Sequence, residues 1–151
     1  MTRPELAIAV VRELLHRSGA LRTSVLIDRG DGGPGIVVEC ERLGPVRVFD
    51  GDEVRELAHD AGAEVALPGF PELRQPPPFE VDPAEGSVAG PLGTLQMLAG
   101  GMRDLAVLLG GGSVVAAEYP THAGQPPLGL AARTGEPVVV LLGDEAFELD
   151  P

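Results

Sequence analysis

A thirteen-residue stretch of this chain occurs twice. Pro45-Val-Arg-Val-Phe-Asp-Gly-Asp-Glu-Val-Arg-Glu-Leu57 aligns with Pro137-Val-Val-Val-Leu-Leu-Gly-Asp-Glu-Ala-Phe-Glu-Leu149, and eight of the thirteen positions are identical. About one match is expected by chance at average composition. Upstream, Ser24-Val25 meets Ser113-Val114, and Arg12 and Leu14 meet Arg103 and Leu105. A repeat of this kind implies two copies of one supersecondary unit. A three-stranded sheet with one helix barely buries its own face, so the two copies are expected to pack as one domain. The arrangement is then the intramolecular version of an isologous dimer.

Hydropathy patterning supplies the unit. In residues 3–18, Ala7, Val10, Val11, Leu14 and Leu15 recur at helical spacing, with Thr2 as cap and Gly19 as stop. β-segments follow at Thr23–Asp28, Gly35–Glu41 and Val46–Phe49, and Asp50-Gly-Asp-Glu reads as the opening of a short helix to Ala61. The second series begins with a helix over 92–109, on Leu95, Leu98, Met102, Leu105 and Leu109. Strands at Ser113–Tyr119, Leu128–Arg133 and Pro137–Leu142 come next, and 143–149 closes as a turn or short helix. The expected fold class is α+β: an internally duplicated α-β-β-β-α unit with antiparallel sheets and pseudo-two-fold symmetry.

Between the copies, Pro68 to Pro91 holds seven of the fifteen prolines. Proline fixes φ and donates no main-chain hydrogen bond, so this stretch reads as an extended linker. The organisation expected is a first unit over 1–67, a Pro-rich linker over 68–91 and a second unit over 92–151.

Charge and composition narrow the function. The net charge of −12 repels nucleic acid phosphates and anionic membranes. All eleven positive charges are Arg, with no Lys and no Asn, a bias expected of a GC-rich bacterial genome. Without Lys there is no Schiff-base chemistry and no P-loop lysine. Cys40 is the single cysteine, which fits a reducing compartment. The first apolar run, Leu6 to Leu15, is broken by Arg12 and Glu13 and does not read as a signal peptide. These readings place the chain in the cytoplasm.

No motif carries a specific chemistry. The acids Asp52, Glu53, Glu56 and their repeats Asp144, Glu145, Glu148 read as helix caps rather than a metal site. The Gly30–Gly35 run lacks the strand-loop-helix context of a phosphate cradle. Arg29-Gly-Asp31 is an accidental adhesion-like tripeptide. His16, His59 and His122 lie apart, Cys40 reads as a buried strand residue, and Ser113 has no nucleophile-elbow context. No catalytic residue, metal ligand or cofactor site is assigned. Function is instead expected where the copies differ, in 68–91 and in the Tyr119–Pro127 loop. Phe70, Phe79 and Tyr119 there are three of only five aromatics, and His122 shares the loop. Aromatics are enriched at interface hot spots, so these four are the candidate partner-binding residues.

The tight turn, β-run and acidic segment of Gly44–Leu57 and Gly135–Leu149 resemble the end of SseB-like N-terminal domains, small bacterial proteins of non-enzymatic role, some linked to secretion. Phe49-Asp50 and Leu141-Leu142 stand where that family has a Phe-Thr step. The resemblance implies binding rather than catalysis. The reading is thus a cytosolic interaction module of adaptor, chaperone-like or immunity type. Its partner is another protein with a basic surface, or a second copy. The alternative is a small-molecule-binding protein or enzyme using the cleft between the units. If the acids hold no metal, thermal melts with and without EDTA coincide; a loss of several degrees on chelation would contradict the capping reading.

Overall fold

Thr2 caps the first helix. A computed structural model describes residues 2–30, 32–58, 80–82, 87–89, 92–121 and 126–149. Helix α1 (Arg3–Ser18) opens with a capping box: the Glu5 amide donates to Thr2 Oγ1 at 3.3 Å, and the Thr2 amide donates to Glu5 Oε2 at 2.7 Å. The Thr2 backbone bond holds the Glu5 carboxyl below its usual range. The box is therefore intact above the ordinary carboxylate range and is lost as pH falls through that lowered value. Gly19 ends the helix in the left-handed conformation.

Four strands follow: β1 (Arg22–Ile27), β2 (Ile36–Glu41), β3 (Val46–Asp50) and β4 (Glu53–Leu57). Two short strands, β5 (Glu80–Asp82) and β6 (Ser87–Ala89), pair with each other. The second series is α2 (Leu92–Leu109), β7 (Val114–Tyr119), β8 (Leu128–Arg133), β9 (Val138–Leu142) and β10 (Glu145–Leu149). Eight strands form one antiparallel sheet in the order β10-β9-β8-β7-β1-β2-β3-β4. The α+β class and antiparallel pairing match the sequence reading. Both long helices lie where their apolar spacing puts them.

The expected short helix after β3 is absent, and a fourth strand replaces it. Gly51 has φ 61, so Gly51-Asp52 makes a two-residue turn between the paired residues Asp50 and Glu53. A glycine at positive φ in the first turn position favours a tight hairpin whose twist suits the strands. Gly143-Asp144, with Gly143 at φ 59, does the same between Leu142 and Glu145. The repeated acids thus sit in hairpin turns and on the two edge strands rather than at helix starts. Charge on an edge strand opposes pairing with other chains. In the Pro-rich stretch, β5 and β6 are regular structure where an extended linker was expected.

The pairings of the two series share one register. Arg22 pairs with Glu41; adding 92 to both gives Val114 and Arg133, which also pair. The same shift carries Cys40–Val46 to Ala132–Val138 and Val46–Leu57 to Val138–Leu149; the last is a pair, and the β8–β9 ladder continues in that register from Leu128–Leu142 to Ala131–Val139. Ser24 therefore corresponds to Ala116 and not to Ser113, where the sequence match had placed it. Turn residues 42 and 134 correspond too, and each ties down the end of its own helix. Arg42 Nη2 donates to the carbonyls of Leu15 at 3.1 Å and Ala20 at 2.8 Å. Thr134 Oγ1 donates to those of Ala106 at 3.1 Å and Gly110 at 3.2 Å. Both add a side-chain donor to main-chain carbonyls at the end of the preceding helix or just beyond it.

Both helices cover one face of the sheet. Val25, Val38, Val48, Val115, Leu130 and Val140 point into that aliphatic core, against Val10, Leu14, Leu98 and Met102. The alternate residues of each strand face the other side, where Leu26 and Leu141 are exposed.

One turn is strained. Leu43, 90% exposed, has φ 62, whereas its counterpart Gly135 has φ 80. A non-glycine side chain in the left-handed region costs about 1–2 kcal/mol, partly offset by the greater chain entropy that glycine loses. Leu43→Gly is expected to stabilise by about 0.5–1 kcal/mol and raise the melting temperature by about 2 °C. A lower melting temperature would show that this turn is relaxed.

Candidate functional site

The face without helices carries a groove of about 450 Å³ over the junction of the two series. The strand registers define its floor. One row runs Glu41, Arg22, Glu118, Gly129, Leu141 across β2, β1, β7, β8 and β9. The next row begins Glu39, Ser24, Ala116 on β2, β1 and β7. Pro126, Pro127 and Gly143 complete the wall at the β9 end.

The groove exists because its floor is short. Ala116 and Gly129 stand at its centre, and a Cβ on Gly129 would lie 3.0 Å from Leu141 Cβ. At the corresponding position of the first series stands Val37, opposite Phe49. The two halves of the open face therefore differ: Val37 fills the first where Gly129 leaves the second hollow.

Its charges are unevenly spread. Arg22 bridges two strands, reaching Glu41 at 3.4 Å and Glu118 at 3.7 Å. These ion pairs are solvent-screened and worth about 0–1 kcal/mol each. Arg47, across from Glu39 in the ladder, pairs with Glu56 at 3.7 Å. Glu39 makes no ion pair or hydrogen bond among the described residues. Three carboxylates and one guanidinium line the groove, with Glu39 and Glu41 at the β2 end and Leu141 at the other.

Of the four residues singled out from sequence, Tyr119 alone is among the described residues. Phe70, Phe79 and His122 lie outside the described residues. Tyr119 is fully buried on the helix side of β7, with its hydroxyl directed at Met102 Sδ at 4.0 Å. It is a core residue and offers no surface to a partner. The loop that it begins does reach the groove through Pro126 and Pro127, and Thr121 Oγ1 ties that loop by donating to the Pro126 carbonyl at 2.8 Å. Sequence reading missed Arg22, Ser24, Glu39, Glu41 and Glu118. The available signal was the alternation of polar residues with buried ones, Arg22 and Ser24 in β1 and Glu39 and Glu41 in β2.

Cys40 also faces the helices, beside its register partner Thr23. Burial raises its thiol pKa, the Arg12 charge opposing the shift and Glu41 adding to it, so it remains a neutral thiol at physiological pH. Its Sγ donates to the Glu41 carbonyl at 3.3 Å. Among the described residues no three His, Cys, Asp or Glu side chains gather as a metal site, and no helix is long and apolar enough to cross a membrane.

Compared with known proteins, the chain matches no family model, no curated protein and no solved structure.

Because Tyr119 fills the core, Tyr119→Ala is expected to destabilise by about 3–5 kcal/mol, as for other buried aromatics. Tyr119→Phe, which keeps the buried ring and removes only the hydroxyl, should cost less than Tyr119→Ala, about 1 kcal/mol. Denaturant melts of both variants check this; a Tyr119→Ala protein as stable as the parent would put Tyr119 at the surface.

Proposed function

We propose that this chain is a non-enzymatic interaction module, built from two copies of one α-β-β-β-β unit and receiving a protein partner in the groove of its open sheet face. The carrying observation is the face itself. Eight strands have helices on one side, while the other holds exposed Leu26 and Leu141 beside a hollow floor and a row of charges. Small and apolar residues set beside charged ones fit a protein interaction surface. The common 92-residue register supports duplication with a pseudo-two-fold axis between β1 and β7. The groove lies on that axis, where the halves diverge. Complementarity with Glu39, Glu41 and Glu118 calls for a partner carrying basic groups. Such a role is also what the resemblance to SseB-like N-terminal domains implies. The lone buried thiol fits a cytoplasmic setting.

One observation favours a second reading, a small ligand in the same groove: its volume falls in the range of ligand sites, and Arg22, Ser24, Glu39, Glu41 and Glu118 converge on it. Its open, screened ion pairs favour the protein partner instead.

Panning a displayed peptide library on the immobilised protein tests the proposal. Peptides are expected to be enriched, and their capture should be lost in Ala116→Leu, which fills the groove without changing charge. That variant should melt within about 2 °C of the parent, as surface substitutions do. No enrichment, or full capture by a folded Ala116→Leu protein, would overturn the interaction reading.

A further inference from the structure

The shape of the groove says what kind of segment it takes. It crosses five strands from β2 to β9, and four inter-strand spacings make about 19 Å. Along that path the main chain is fully used: β1, β7 and β8 are each paired on both sides. The floor thus offers side chains and no free backbone groups.

An extended segment laid across such a floor would lose water from its own N–H and C=O groups without gaining partners. A helix closes its own backbone hydrogen bonds and presents only side chains. At 1.5 Å per residue, about 13 helical residues span the path. The two ends of the path differ in chemistry. Glu39 and Glu41 stand at the β2 end, and Glu39 has no described partner. Leu141, Pro126 and Pro127 stand at the β9 end, beyond the small floor residues Ala116 and Gly129. The two carboxylates attract cationic side chains and the positive end of a helix dipole alike, so the N-terminal turn belongs over β2.

We propose that the groove binds an amphipathic helix of its partner, about 13 residues long, with basic residues in its first turn over Glu39 and Glu41. The small aliphatic side chains of its apolar stripe then enter the hollow over Ala116 and Gly129, beside Leu141. This inference rests on the interaction reading above and specifies the partner's chemistry. Self-association fits it less well, because two chains of net charge −12 repel.

Two labelled peptides of about 14 residues test it. Both carry the same Ala/Leu stripe; one has two arginines in its first turn and the other two glutamates. By fluorescence anisotropy, the arginine peptide should bind at least about tenfold more tightly and gain helical circular dichroism on binding. Glu39→Gln/Glu41→Gln should weaken it about fivefold, whereas Asp52→Asn/Glu53→Gln, which removes equal charge outside the groove, should not. Equal affinity for the two peptides overturns the inference. So does equal loss in both charge variants, which would mark bulk attraction, or binding without gain of helix. If neither peptide binds while library-derived peptides are still captured, the helical partner is wrong and the interaction reading stands. If the library also yields nothing, both fall.

Discussion

The antiparallel pairing of β1 with β7 is the contact on which the rest of this structure depends. Each four-stranded series with its helix is a thin layer that leaves one long strand edge unpaired. Joining the two at β1 and β7 removes both inner edges and places Val25 beside Val115 in the core. The ladder continues past the strand end, where the Leu21 amide donates to the Glu118 carbonyl at 2.7 Å. The outer edges, β4 and β10, pair with no further strand among the described residues and carry acidic side chains. One join thus makes a single core out of two marginal ones.

The same join creates the groove. Both helices pack on one side, because the buried alternation of β1 and β7 is in phase: Thr23 opposes Ala117 and Val25 opposes Val115. The alternate rows must then meet on the other side. There the two series differ in side chains while sharing a common backbone register. Arg47 in the first corresponds to Val139 in the second, Glu39 to Ala131 and Val37 to Gly129. On the helix side, Arg42 and Thr134 differ in chemistry yet both donate to carbonyls at the end of the preceding helix.

Much of this was legible in the sequence, and the failures have physical causes. The helices and six of the strands announced themselves through 3.6- and 2-residue apolar spacing. Residues 50–57 misled because Asp and Glu after a glycine suit a helix start as well as a hairpin turn; the positive φ of Gly51 decides for the hairpin and is invisible in the letters. Tyr119 misled because enrichment of aromatics at interfaces says nothing of which face of a strand a given aromatic occupies. Here period-2 alternation with Val115 and Ala117 puts it in the core. The groove itself was out of reach. It requires the β1–β7 register, a pairing between residues 88 to 96 apart that no local pattern encodes, together with the absence of side chain at Gly129.

Hydrogen exchange of the β1 and β7 amides, resolved by NMR, tests the central claim most directly. If this pairing unites the two series, the amides of Ser24 and Ala116, register partners whose N–H groups point across the β1–β7 seam, exchange only by global unfolding and rank among the slowest in the protein. Should they exchange through a lower-energy opening than the β2–β3 and β8–β9 ladders, the two halves part before they unfold, and the join is not what holds the molecule together.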